Sequence, residues 1–123
     1  MVQPQRIVSL VPSTTESVVA LGRGAALVGC TRYCTEPAEA LSALPRIGGT
    51  KNPSRDAILR LQPDLVLGNA EENRAEDLEW LRARVPVLVQ TPTTVATAIT
   101  AMRELGAALG VGATATQIAD AIE

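Results

Sequence analysis

The sequence predicts an α/β fold: a three-layer sandwich built around a mostly parallel sheet of four strands. Short apolar runs alternate with helical patterns along the 123 residues, and such alternation is typical of parallel sheets covered by helices. The run Leu65-Val66-Leu67 has no polar alternation, which indicates a strand buried on both faces. Polar loops shaped by Gly and Pro precede two predicted helices, at Val11-Pro12-Ser13 and Gly48-Gly49-Thr50.

The first half of the chain predicts strands at residues 7–10 and 26–30 and a short helix at 37–44. Between the two strands, Ser13-Thr14-Thr15-Glu16 fits a capping box, in which Ser13 and Glu16 satisfy free N–H groups of the first helical turn. Gly22 suits the left-handed end of that helix. Ser54 is the predicted N-cap of a further helix that ends at Pro63.

The second half predicts strands at residues 64–67 and 86–90, and a helix between them at 71–84. The solvated face of that helix is predicted to carry its acidic residues, Glu71, Glu72, Glu76, Asp77 and Glu79. Thr93 or Thr94 caps a long helix through residue 109, whose inward positions are Val95, Ile99, Met102 and Leu105. Residues 114–123 begin a last helix. A helix this short is marginal alone, so we expect it to continue into a further segment or to dock on another copy.

Composition excludes several function classes. The net charge of −2 gives no basic footprint for nucleic acid, and no apolar run approaches the roughly 20 residues of a membrane span. The absence of histidine removes Ser-His and Cys-His nucleophile systems. Cys30 and Cys34 alone cannot form a tetrahedral zinc site. They predict buried thiols, with a small-loop disulfide as the alternative in an oxidising compartment.

The predicted loops lie at the carboxyl ends of parallel strands, where open α/β folds bind ligands. This placement predicts a binding lobe without catalytic machinery. A small flavodoxin-like enzyme or nucleotide-binding domain is the alternative, but no Gly-x-Gly-x-x-Gly follows the first strand. A receiver-like signalling domain is disfavoured. It would need acidic residues after the first and third strands, where this chain has Val11-Pro12-Ser13 and Gly68-Asn69.

Four segments carry a family resemblance: residues 6–16, Val28-Gly29 followed by Tyr33, residues 47–53 and residues 57–67. With them the chain resembles, over residues 6–112, the N-terminal lobe of class III periplasmic binding proteins. These are helical-backbone metal-chelate receptors that serve ABC importers of vitamin B12, haem and siderophores. The cobalamin-binding-like receptors are the nearest subgroup.

The resemblance implies two α/β lobes joined by one long helix, with residues 1–112 as the N-terminal lobe and 113–123 as the start of that helix. It implies a corrinoid or another metal chelate bound in the cleft, without catalysis, resident cofactor or metal site. An ABC permease is the implied partner and an extracytoplasmic location the implied compartment. The first residues show no secretory apolar region, so a cytoplasmic location stays open. We expect the isolated lobe to form a homodimer, because its exposed apolar surface favours association.

The ligand contacts implied by the resemblance are Pro12, Ser13, Thr14, Tyr33, Gly49, Thr50 and Asn69, and the implied permease-docking residue is Asp56. Thr50 stands where B12 receptors can have a Trp, so the choice among corrinoid, haem and siderophore stays open. Simpler roles compete with these. Ser13 could be only a cap, Tyr33 could pack in its loop, and Asp56 could be a surface acid.

Overall fold

The computed structural model describes residues 3–122; Met1, Val2 and Glu123 lie outside the described residues. Its sheet has four strands in the order β2-β1-β3-β4, and every pair is parallel. The predicted parallel sheet is confirmed. The strands are β1 (Ile7–Ser9), β2 (Leu27–Cys30), β3 (Leu65–Gly68) and β4 (Val87–Val89).

Helices cover both faces of the sheet, and a 3₁₀ turn at Gly24–Ala26 precedes β2. The α-helices are α1 (Pro12–Ala20), α2 (Ala38–Leu41), α3 (Arg55–Arg60), α4 (Ala75–Arg82), α5 (Val95–Ala108) and α6 (Gly112–Ile122). The side chains of Ile7 and Leu67 share one apolar cluster with residues of α1, α5 and α6. Val8 and Val66, on the opposite face, share another with residues of α3 and α4. These two clusters define the three layers that the sequence predicts.

The capping box predicted at Ser13 does not form. The N-cap residue of α1 is Val11, its side chain makes no capping bond, and Pro12 occupies the first turn. Proline favours that position, because its φ angle is already helical and it has no N–H to leave unpaired. Ser13 and Thr14 therefore lie inside the first turn of α1 rather than in a loop. The capping predictions for Ser54 and Thr94 are confirmed, since both accept a bond from the N3 backbone.

The predicted helix at 71–84 is shorter, because α4 begins at Ala75. The side chain of Asn69 accepts hydrogen bonds from the backbone N–H groups of Glu71 and Glu72, which holds this segment in a turn. Asp77 was predicted on the solvated face of this helix, and that prediction is wrong. Its side chain is buried and is paired with Arg55 at 2.9 Å and Arg74 at 3.2 Å.

Val95 does not face the core as predicted, since 68% of it is exposed at the start of α5, before that helix reaches the apolar cluster. Leu105 is buried as predicted. α6 begins at Gly112, near the predicted lobe boundary, and packs against α5 with Ala115 and Ala119 buried. No helix in residues 3–122 is long and apolar enough to cross a membrane.

Candidate functional site

The predicted site residues lie along the carboxyl edge of the sheet. Pro12 and Ser13 open α1 just after β1, Tyr33 follows β2, and Asn69 follows β3. The loop with Gly49 reaches the same edge because its preceding segment runs parallel beside β2, where the Ile47 N–H donates to the carbonyl of Cys30 at 2.9 Å. Parallel strands thus bring residues far apart in sequence to one edge, as the sequence predicted.

Asn73 connects three of these loops, and sequence analysis missed it. It is 1% exposed, and its Nδ2 donates to the carbonyl oxygens of Leu10, at 3.2 Å, and Thr50, at 3.0 Å. Its Oδ1 accepts from the backbone N–H of Asn69 at 2.8 Å. One buried amide thereby fixes the ends of β1 and β3 relative to the Gly-rich loop. Only the tertiary contacts of Asn73 reveal this role, because nothing in its local sequence distinguishes it from an ordinary loop residue.

A backbone hydrogen bond joins the loop after β2 to the Gly-rich loop. The Arg32 N–H donates to the carbonyl of Gly48 at 2.9 Å. Gly48 has φ +105°, and a Cβ there would meet the carbonyl oxygen of Asn52 at 2.8 Å. Glycine is therefore required at Gly48 for both conformation and space. Gly49 is buried against the side chains of Arg32 and Asn52, so it contributes close packing rather than an exposed contact.

A groove of about 210 Å³ runs between the strand ends and α5. Three predicted ligand residues, Ser13, Thr14 and Asn69, line it. A neighbouring hollow of about 290 Å³ shares Gln90 with this groove and continues it along α5. Polar and apolar residues not predicted from sequence also line the groove; they include Ser17, Gln90, Met102 and Ile122. Gln90 could have been found from sequence, since it follows β4 at the same edge.

Tyr33 is exposed, which disfavours the simpler role of loop packing. Its exposed fraction is 55%, high for a tyrosine in a chain with two aromatic residues. The Arg32 guanidinium carbon lies 5.2 Å from the ring centroid, within the range of a cation–π contact. Pro12 and Thr50 are half-buried at the same edge of the sheet. Tyr33 lies outside the lining of the groove and offers one exposed aromatic ring at the same end of the sheet.

Cys30 and Cys34 lie beneath the Tyr33 turn as free, buried thiols, as predicted. A hydrogen bond with Cys34, together with burial, raises the pKa of the Cys30 thiol above its ordinary range. The same hydrogen bond lowers the pKa of Cys34 to about 5, assisted by the hydroxyls of Thr15 and Thr31 and opposed by burial.

Asp56 lies apart from the groove. It is exposed in the first turn of α3, on the other side of the sheet from α1 and α5. The preceding residue, Arg55, binds the buried Asp77 and contacts the ring of Trp80. Asp56 is thus an accessible carboxylate on an anchored helix. No group of three or more His, Cys, Asp or Glu residues within 3–122 could hold a metal ion.

A parallel α/β lobe with a groove at its strand ends defines a ligand-binding lobe. The chain belongs to the periplasmic binding protein family, whose family model matches residues 7–123. A vitamin B12-binding protein from Pectobacterium carotovorum subsp. carotovorum (strain PC1) is 36% identical over 78 residues. That match covers 63% of this chain and 28% of the relative.

Solved structures agree with this assignment. The periplasmic heme-binding protein RhuT from Roseiflexus sp. RS-1, in apo form, has a TM-score of 0.87 and 34% identity, covering 94% of this chain and 45% of that one. The periplasmic vitamin B12-binding protein BtuF of Vibrio cholerae has a TM-score of 0.88 and 26% identity, covering 98% and 47%. The resemblance to class III periplasmic binding proteins is confirmed. The chain spans less than a third of this curated relative and under half of these solved chains.

Proposed function

We propose that this chain is the N-terminal lobe of the solute-binding component of an ABC-type importer. Its ligand is a metal chelate, either a corrinoid such as cobalamin, a haem or a siderophore complex. The observation that carries the proposal is the groove at the strand ends, with the exposed ring of Tyr33 on the same edge. Relatives named for binding vitamin B12 and heme support it. The role is binding and release, and it requires neither a catalytic step nor a resident cofactor.

The position of the groove favours a ligand shared with a second lobe. The groove of about 210 Å³ and the hollow of about 290 Å³ that continues it are open at the surface of this lobe, whereas small-molecule sites bury most of the ligand's surface. A macrocycle placed here would keep one face uncovered, and a facing lobe would cover it. We therefore assign residues 113–123 to the start of a helix that leads to that lobe.

We assign the predicted contacts three kinds of role. The Tyr33 ring would pack against a flat chelate, since aromatic rings bury large areas at binding sites. The hydroxyls of Ser13, Thr14 and Thr50 would orient polar groups at the ligand's edge, and Pro12 would line the cleft beside them. Gly49 and Asn69 shape the loops, because their side-chain positions are already occupied by protein contacts.

Asp56 is proposed to dock on basic residues of the permease. An exposed carboxylate on a helix anchored by a buried ion pair is a suitable electrostatic contact, since rim charges set encounter rate and orientation. Such a role places the protein outside the cytoplasmic membrane. Charge reversal, Asp56→Lys, should weaken binding to the permease without changing chelate affinity. Equal binding of the wild-type protein and the Asp56→Lys variant to the permease would refute this assignment.

The test is a titration of the complete protein with cobinamide, cobalamin, hemin and ferric siderophores, followed by absorbance and calorimetry. We expect at least one of these chelates to bind. Tyr33→Ala should then weaken binding by about tenfold, as expected for losing an aromatic contact of about 1.5 kcal/mol. Arg60→Ala, an exposed change at the far end of α3, is the control and should leave affinity unchanged. Failure of the complete protein to bind any chelate, ferric siderophores included, would refute the proposal.

The lobe by itself is proposed to form a homodimer. Val95 and Ile122 are large apolar residues at least half exposed, and Ile122 lines the groove. Exchange of α6 between copies is the route that needs the fewest new contacts, since α6 already packs on α5 within one copy. Light scattering coupled to size exclusion should give twice the chain mass at high concentration. A strictly monomeric mass would contradict this.

A further inference from the structure

The turn that carries Tyr33 begins and ends in a cysteine, and both cysteine side chains lie in the same apolar cluster. Cys30 ends β2 with an exposed fraction of 0%, and Cys34 follows four residues later at 1%. A backbone hydrogen bond from Cys34 to the carbonyl of Thr31, at 3.1 Å, folds the segment back on itself. The fold thus buries both thiols in one cluster, at the two ends of the turn that exposes the Tyr33 ring.

A common set of polar groups surrounds the two sulfur atoms. Arg46 Nη1 donates to Cys30 Sγ at 3.0 Å and to the carbonyl oxygen of Cys34 at 2.6 Å. The hydroxyls of Thr15 and Thr31 lie 3.2 and 3.3 Å from Cys34 Sγ. Thr31 joins the two groups, because its carbonyl oxygen also accepts from Arg46 Nη1, at 3.1 Å. These shared contacts hold the side chains of Cys30 and Cys34 in one small region of the fold.

We propose that Cys30 and Cys34 form an intramolecular disulfide when the protein folds in an oxidising compartment, closing the Tyr33 turn covalently. This inference rests on the extracytoplasmic location given under the proposed function. Proteins in such compartments keep disulfides, whereas cytoplasmic thiols stay reduced. The bond would close residues 30–34 into a small covalent loop. It would thereby restrict the backbone of Tyr33, which carries the exposed aromatic ring.

The chemistry is two successive thiol–disulfide exchanges with a disulfide oxidant, either a small-molecule disulfide or a dithiol oxidase. The Cys34 thiolate attacks one sulfur of the oxidant and expels a thiolate. The Cys30 thiolate then attacks the Cys34 sulfur of the mixed disulfide and expels the second thiolate. The protein loses two electrons and two protons, and the oxidant is reduced to two thiols. Because both sulfurs are buried in the folded chain, the exchange takes place before the core closes around them.

Trypsin makes the bond directly observable, because Arg32 lies between the two cysteines. Digestion separates Cys30, in peptide 24–32, from Cys34, in peptide 33–46. The complete protein should be directed to the bacterial periplasm or kept in the cytoplasm, with thiols trapped by N-ethylmaleimide in denaturant before digestion. We expect the periplasmic sample to yield the two peptides joined, at about 2 Da less than their summed mass, and separated by dithiothreitol. The cytoplasmic sample should yield both peptides carrying maleimide.

Cys30→Ala and Cys34→Ala are the matched controls, and each should abolish the joined species. Maleimide on both peptides of the periplasmic protein would overturn the inference, and so would linkage of either cysteine to a different partner. Chelate titration of the same samples separates the two proposals. Joined peptides without chelate binding would refute the binding function alone, and separate peptides with intact binding would refute the disulfide alone.

Discussion

Replacing Asn73 by Ala tests whether one buried amide holds the binding edge together. The side chain makes three hydrogen bonds, at 2.8, 3.0 and 3.2 Å, to three different segments of backbone. Each such bond contributes about 1 kcal/mol net to stability, so Asn73→Ala should lower the free energy of unfolding by about 3 kcal/mol. Asn73→Asp should be worse, because a buried carboxylate would face the carbonyl oxygens of Leu10 and Thr50.

The assay is equilibrium urea unfolding of the wild-type protein and the variants, combined with chelate titration. The control is Glu72→Ala, which removes an exposed side chain next to Asn73 and should change stability by less than about 0.5 kcal/mol. We also expect Asn73→Ala to weaken chelate binding, since the loop ends it joins would no longer share one position. A loss of stability below about 1 kcal/mol would show that Asn73 does not hold these loops and would refute this reasoning.

Three further substitutions test the packing around the site, each by urea unfolding. Gly106→Ala would place a Cβ 2.1 Å from that of Ala115, forcing α6 away from α5, and should cost about 1–3 kcal/mol. Gly112→Ala, with open space at its Cβ, is its control; equal stability of the two would contradict this packing. Gly48→Ala should cost more than about 1 kcal/mol because of the backbone clash and φ of +105°, and an unchanged midpoint would refute the requirement. Asp77→Asn should destabilise by about 1–3 kcal/mol, since two arginines lose their buried counter-charge; a neutral result would show that the pair is dispensable.

Much of the fold could be predicted because local patterns and the core agree. Each predicted strand lies within one or two residues of the observed one, since continuous apolar runs such as Leu65-Val66-Leu67 are stable only between two layers. The caps at Ser54 and Thr94 were also correct, because a hydroxyl before a helical pattern acts through its own neighbours. The family resemblance was confirmed for the same reason: its motifs are continuous segments.

One kind of error arose where a side chain has a partner distant in sequence, and another where two local interactions competed. Asp77 has the pattern of a solvated helical acid, yet Arg55, 22 residues earlier, holds it in the interior. At Ser13 the competition is local. Pro12 in the first turn and a capping box at Ser13 are two alternative ways to begin α1, and the sequence did not show which is the more stable.

The sequence by itself determined the class of this protein: a parallel α/β lobe whose polar residues follow its strands, because apolar periodicity and turn chemistry act over a few residues. Only the tertiary structure decided how the strand ends become one surface. Asn73 reaches Leu10 across 63 positions, and Cys34 meets Thr15 across 19. Such contacts depend on which atoms the completed sheet brings within hydrogen-bond distance. A pattern read along the sequence does not specify these distances in space.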